Sequence, residues 1–438
     1  MKPIFYLPVL VQVIMISQAS FAQERFDVFP TRTETDIPYR IPAIAALPDG
    51  TVICVADYRY SRNDVGIIKD GRIDLHVRVS RDNGCSWGEI AALVKGKGAE
   101  SSDFMNVAFG DPCIVADRNS GRVLVMSCAG NVSFPKGERD LHQCIVRFYS
   151  DDGGLTWSAP EDVSGHVYEQ FDSASYGPVK AMFVASGKIL QSRYVKVKDY
   201  YRLYCAVLLN AEDNRKMNHV LYSDDFGQTW VVLGGVEITP IPEGADEAKV
   251  EELPGGAILI SSRTEAEGRL FNVFRFTNKR RAVGAWGDMA HSASHNGGIV
   301  TEKNACNGEL LLVPVVRRED GKKMNLLLQS APIGPHRTNV GIYYKALESS
   351  LDYASPEHIA ENWDGVFRVT ELGSAYSTMA LQSDGMLGFL MEEQTHCTTA
   401  GGGYTIVYDK FSVEEITGGK YRAAMKRKAG AVTASAAL

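Results

Sequence analysis

The sequence predicts an all-β chain, and more specifically a six-bladed β-propeller. Three observations lead there. From about Arg25 onward, short β-rich runs alternate with Gly, Asp, Asn and Pro turns. Sustained 3.6-residue periodicity is nearly absent, so helices have little place. Finally, one turn motif recurs about seventy residues apart, a spacing that marks repeated supersecondary units. At that period, six four-stranded units fit the roughly 400 residues that follow the N-terminal segment.

The repeated motif has the pattern S-x-D-x-G-x-[ST]-W. It appears as Ser80–Trp87, Ser150–Trp157 and Ser223–Trp230. An Asp at the third position can accept backbone N–H bonds inside a tight turn, and the Gly supplies a positive φ. The Trp anchors the outgoing chain in an apolar layer. A strand-like run precedes each copy, at Leu75–Val79, Cys144–Tyr149 and His219–Tyr222. Further strands are expected over Thr51–Ala56, Gly121–Ser127, Gly187–Ser192, Tyr201–Leu209, Gly256–Ser262, Glu309–Val316 and Thr405–Tyr408. A short helix fits near Pro356–Asn362. No shift in composition divides the body, so residues 23–422 read as one propeller, followed by a frayed tail over 423–438.

At the N-terminus, Lys2, the apolar run Ile4–Ile16 and the small residues before Ala22 read as a signal peptide over residues 1–22. The run is too short to span a bilayer, and no later stretch approaches that length. Export is therefore expected, to the periplasm or beyond. Eight cysteines are present, several of them isolated inside apolar runs, and mostly buried thiols are expected. No C-x-x-C, H-E-x-x-H or clustered His suggests a metal. Charged residues make up 23% of the chain and the net charge is −7, which gives no electrostatic footprint for nucleic acid.

Tyr39-Arg40-Ile41-Pro42, followed by the repeated boxes, resembles the bacterial sialidases (neuraminidases). The resemblance extends over almost the whole chain after the signal peptide. It implies a propeller that hydrolyses terminal α-linked sialic acids with retention of configuration, and an Arg triad that holds the substrate carboxylate. Arg40 matches the first Arg. Asp246–Leu253 with Arg263 matches the segment carrying the second, and Ser330–Asn339 places Arg337 as the third. Three guanidiniums can clamp one carboxylate through charge-assisted, partly bidentate bonds. Gly373-Ser374-Ala375-Tyr376-Ser377 matches the segment with the nucleophilic Tyr, here Tyr376, and Glu247 stands at the position of its base. A phenol suits this substrate, because an anionic nucleophile would approach the carboxylate-bearing anomeric carbon against like charge. In Ala56–Asp64, Arg59 matches a pocket Arg and Asp64 the acid/base. Asp111 matches a sugar-contacting Asp, and Glu392 a residue that orients Arg40.

Some alternatives stay open at this level. An insertion at Ile67–Gly71 leaves Asp70 and Asp74 as competitors of Asp64. Arg317 and Arg318 compete with Arg337, and Glu393 with Glu392. No Trp lies between Val125 and Ser150, so Phe134 would have to line the N-acetyl pocket. The resemblance implies sialylated glycoproteins, glycolipids or oligosaccharides as substrates, no cofactor, and a monomer. A transferase would share the same residues, and a non-catalytic sugar-binding propeller would have no need of Tyr376, Glu247 and Asp64 together.

Overall fold

The computed structural model describes residues 25–32, 34–303, 305–394 and 403–424. The expected signal peptide, Cys397 and the tail beyond Ala424 lie outside the described residues. Six sheets stand in a ring, each of four or five strands that pair antiparallel save for one short parallel pair. The innermost strands of the six blades, in chain order, are Tyr39–Ala46, Phe109–Ala116, Val179–Val184, Ala245–Glu252, Leu310–Arg317 and Ser374–Leu381. The blades are held together by apolar clusters between consecutive sheets. Ala43, Val55 and Leu75 of blade 1 meet Phe109, Val125 and Phe148 of blade 2, and the pattern continues round to Val28, Leu390 and Tyr408 of blade 6 against Ile44 and Cys54 of blade 1. Middle strands are therefore covered on both faces. Val123–Ala129 is buried at every position, which is why these runs read as continuous β-branched and apolar stretches rather than alternating ones.

The last blade takes its outer strand from the N-terminal end. Phe26–Phe29 pairs antiparallel with Thr405–Phe411, with Phe26 opposite Tyr408. At the other end, Tyr421–Ala423 adds a strand to Leu310–Arg317, so the first residue of the expected tail is part of the sheet. The run Gly187–Ser192 is not one strand. Gly187–Lys188 pairs in parallel with Phe109–Ala116 of blade 2, and Leu190–Val197 returns to blade 3. Gly187 is required at the crossing: its φ is +95°, and an added Cβ would lie 2.3 Å from the Lys249 ammonium. The short helix forms over Pro356–Ala360, shorter than expected. The described cysteines are all free thiols, and Cys54, Cys113, Cys128, Cys205 and Cys306 are buried.

The repeated boxes all close in the same way. The Ser hydroxyl donates to the Asp carboxylate and accepts from the Gly N–H, at 2.8 Å for both bonds in Ser223. The carboxylate in turn accepts the Thr229 N–H and hydroxyl at 2.9 and 2.7 Å. Each box also rests on the blade before it. Arg147 of blade 2 donates to the Gly227 and Gln228 carbonyls at 2.7 and 2.6 Å, and Tyr149 donates to the Phe226 carbonyl. Blade 4 lacks the motif, but its equivalent turn is held similarly, with Arg202 of blade 3 donating to the Lys279 and Arg280 carbonyls. The boxes follow the third strand of each blade, so they lie at the end of the ring opposite the starts of the inner strands.

Removing one box carboxylate should loosen the ring without touching the other face. Asp225→Ala is expected to cost about 1–2 kcal/mol of stability, the scale of a few hydrogen bonds lost from a turn. Urea unfolding checks the loss, and any catalytic turnover should stay within about twofold of wild type.

Candidate active site

The site forms where the inner strands begin and the second strands end, because antiparallel neighbours bring these ends to one face of the ring. Four of the inner strands that supply it carry a β-bulge at this entry. The register shifts between Arg40 and Ala43, Gly110 and Cys113, Ala245 and Ala248, and Ser374 and Ser377. The extra residue in each re-aims a side chain toward the axis. These bulges hold Arg40, Asp111, Glu247 and Tyr376. Two of them place a non-Gly residue in the left-handed region: Ile41, a β-branched residue that avoids it, has φ 53°, and Asp111, which tolerates it better, has φ 53°. Both are held by buried carboxylates. Glu392 accepts the Ile41 N–H at 2.7 Å, and Asp57 accepts the Asp111 N–H at 3.0 Å.

At the centre, the Tyr376 hydroxyl donates to Glu247 Oε2 at 2.8 Å. Arg263, near the end of Ile258–Thr264, reaches the same carboxylate at 3.0 Å and the Tyr376 oxygen at 3.3 Å through Nη1. The guanidinium carbons of Arg40 and Arg337 lie 5.8 and 5.9 Å from the centroid of the Tyr376 ring. Three cations from blades 1, 4 and 5 thus surround one phenol from blade 6. Glu392 fixes Arg40 through Nε at 2.7 Å and accepts the Tyr376 N–H at 3.3 Å. Glu393 instead pairs with Arg25. Arg317 is tied to Asp320 and Glu348 on the exterior, far from this cluster in its contacts.

A second group sits across the pocket. Arg59 is buried and forms ion pairs with Asp57 at 2.6 Å, Asp111 at 3.2 Å and Asp64. The Asp64 carboxylate is 64% exposed and stands at the mouth of a cavity of about 240 Å³, whose walls include Asp111, Phe134, Glu247, Arg263 and Tyr376. Asp70 is instead bonded to Asn131, and buried Asp74 to Arg72 and the Gly96 N–H. Neither lines the cavity. Phe134 does, packed edge-on against Phe183.

Burial and charge set the protonation states. Burial pushes the Glu247 carboxyl up to about 7 despite the neighbouring Arg263. The Tyr376 phenol is raised well above its ordinary value, by burial first and then by the Glu247 charge. Asp57 is pushed up to about 6 and Asp111 is also raised, both chiefly by burial. Asp64 moves the other way, because the Arg59 guanidinium favours its charged form.

Several residues here were not singled out from sequence. Asp57 lies two residues before Arg59 in one strand, hence on the same face, and that spacing was a readable signal. Asp246 lines the cavity 3.7 Å from Arg263 Nε. Tyr404 stacks on Arg40, 5.1 Å from its guanidinium carbon, and Cys306 packs beside Tyr376; neither gives a signal in sequence.

Residues 66–388 match the model of the BNR repeat-like domain. The chain belongs to the BNR repeat-like domain family. Whole-chain comparison supports the resemblance to bacterial sialidases. A sialidase of Micromonospora viridifaciens is 26% identical over 376 residues, covering 82% of this chain and 50% of that protein. A sialidase of Clostridium perfringens is 24% identical over 366 residues, covering 81% and 86%. The chain thus spans about half the length of the Micromonospora relative. Among solved structures, the intramolecular trans-sialidase of Ruminococcus gnavus in complex with oseltamivir carboxylate superposes with a TM-score of 0.66 at 18% identity, covering 89% of this chain and 98% of that one. At such identity the match speaks for the propeller fold. No helix among the described residues is long and apolar enough to cross a membrane.

Glu247 offers a test of the electrostatics. Its raised value means that folding favours the protonated form, so its contribution is fully present below its unfolded value and is lost as pH rises through about 7. Glu247→Gln should therefore unfold at nearly the wild-type Tm at about pH 5, and at a higher Tm than wild type by about pH 8. Thermal denaturation across that range checks the divergence.

Proposed function

We propose that the protein is an exo-α-sialidase that releases terminal α-linked sialic acids from glycoconjugates with retention, through a covalent Tyr376 intermediate. The observation that carries this reading is the phenol of Tyr376, bonded to a buried carboxylate and surrounded by three guanidiniums. Arg40, Arg263 and Arg337 would bind the sugar carboxylate by charge-assisted bonds, which sets the anomeric carbon over the Tyr376 oxygen. Asp111, Arg59 and Phe134 would line the rest of the ring's pocket.

In the first step the Tyr376 oxygen attacks the anomeric carbon, and its proton passes to Glu247 along their existing hydrogen bond. The raised value of Glu247 suits a base that must take a proton from a phenol and later return it. Asp64 protonates the departing glycosidic oxygen. In the second step Asp64 takes a proton from water, the water oxygen attacks the anomeric carbon, and the Tyr376–carbon bond breaks as Glu247 gives its proton back. The nucleophile approaches as a neutral phenol, so it does not oppose the substrate carboxylate. Arg59 holds Asp64 low and burial holds Glu247 up at about 7, so the form with Asp64 protonated and Glu247 ionised is most populated between the two titrations. The substrates would be sialylated glycoproteins, glycolipids or oligosaccharides, met after export of a monomeric enzyme whose N-terminal segment is removed.

A fluorogenic α-sialoside should be cleaved by wild type somewhere between about pH 4 and 8, the range open to a carboxylate acid/base, with the α-anomer of sialic acid as the first product by NMR. No release across that range, or a first product of inverted configuration, overturns the reading. Tyr376→Phe should lower kcat by at least about 10³-fold. Asp64→Ala should lose about 10²-fold more on sialosides with poor leaving groups than on activated ones, since only the former need a proton.

A further inference from the structure

The axis has a second cavity at the face opposite Tyr376. Its volume is about 310 Å³ and it is walled by the far ends of the inner strands, including Ile44, Ala46, Ile114, Leu311 and Leu381. The inner strand Ala245–Glu252 relates the two ends. Its alternate residues Glu247, Lys249 and Glu251 lie along one face of the strand. Glu247 lines the active-site cavity, Lys249 abuts Gly187 at mid-depth, and Glu251 lines the far cavity. The crossing segment Gly187–Lys188 therefore separates two compartments.

The far compartment is rich in donors. Arg118, Lys188 and Arg193 line it, with Glu251 as the one carboxylate among its lining residues. Glu251 is shared between Lys188 and Arg193, at 2.8 Å from each, while Glu309 stands 4.0 Å from Lys188. Glu252 is turned to the Ser192 hydroxyl and the Arg193 N–H. Arg118 has no carboxylate partner among the described residues. It donates to the Ser192 carbonyl and stacks on Tyr201 at 4.1 Å, and its buried Nε has no acceptor among the described residues. A guanidinium held over an aromatic ring with a buried Nε free of acceptors, beside aliphatic walls, suits an acceptor-rich planar or tetrahedral head on an apolar body.

We propose that this cavity is a binding site for a small organic oxyanion, a carboxylate or phosphate monoester with an apolar body. The head is held by Arg118, with Lys188 and Arg193 alongside, and the body lies on Ile44, Leu311 and Leu381. This site is independent of the sialidase reading.

Calorimetric titration of the full chain with benzoate, phenyl phosphate and inorganic phosphate tests it. The two ring-bearing anions should bind one per chain, and inorganic phosphate at least about tenfold more weakly, for want of apolar contact. Arg118→Gln should weaken both ring-bearing anions about tenfold or more. Ala46→Glu, which places a carboxylate at the rim of the cavity, should do the same, and it decides the matter if Arg118→Gln does not fold by circular dichroism. Arg337→Ala, at the other end of the axis, should leave their binding unchanged. The proposal is overturned if neither ring-bearing anion binds, or if inorganic phosphate binds as well as they do. It is equally overturned if binding survives both Arg118→Gln and Ala46→Glu; loss in Arg337→Ala would then place the anions on the guanidiniums around Tyr376.

Discussion

The hydrogen bond between Tyr376 and Glu247 is the interaction on which the site depends. A carboxylate and a phenol are taken out of water together, which raises the proton affinity of both. Neither could be buried alone without a large penalty. Paired, they hold a proton that can move between them, and Arg263 touches both oxygens so that the charge is balanced wherever the proton sits. Arg40, Arg263, Arg337 and Glu392 keep this pair oriented and surrounded by positive charge. Glu392 does two of these jobs from one position, by fixing the Arg40 guanidinium and the Tyr376 backbone.

The propeller makes such a cluster possible because its inner strands all begin on one face, yet regular strands would point alternate side chains into the inter-blade cores. The bulges resolve that conflict. Each interrupts the ladder by a residue just where a functional side chain must leave the sheet and face the axis. At Ile41 and Asp111 the cost is a left-handed backbone of the order of 1–3 kcal/mol, offset by buried carboxylates that accept the exposed N–H groups. The opposite face is organised by different means, with box turns clasped by arginines and tyrosines of the preceding blade. Chemistry and cohesion are thus assigned to the two ends of the same strands.

The blades were legible in sequence where the motif repeats, because the Ser, Asp, Gly and Ser or Thr of each box have fixed partners within seven residues. Blades 4 and 5 are less visible, since their equivalent turns lack that pattern and are held from outside, as by Arg202. Arg40, Glu247, Arg263, Arg337 and Tyr376 were found through motifs, and the fold brings them around one phenol. Asp64 could not be separated from Asp70 and Asp74 along the chain; the distinction lies in Asn131 and Arg72, which hold the two competitors elsewhere. The splitting of Gly187–Ser192 between two blades was hidden for a related reason. The run has ordinary strand composition, and its first two residues leave it to pair with Phe109–Ala116 of another blade. Cys306 and Tyr404 gain their place only through tertiary contact.

The pairing of Phe26–Phe29 with Thr405–Phe411 joins the first described strand to the last blade. A chain emerging from its N-terminal end can assemble the sheets of blades 1 to 5 largely from neighbouring segments, but the ring stays open until residues near 411 arrive. Tyr376 and Glu392 belong to that last blade, while Arg40 belongs to the first. The guanidinium of Arg40 therefore has no carboxylate to meet, and the phenol no completed set of cations, until the circle closes. Assembly of the cluster around Tyr376 and closure of the ring are one event, so a partly made chain exposes an unpaired strand edge and an incomplete cluster.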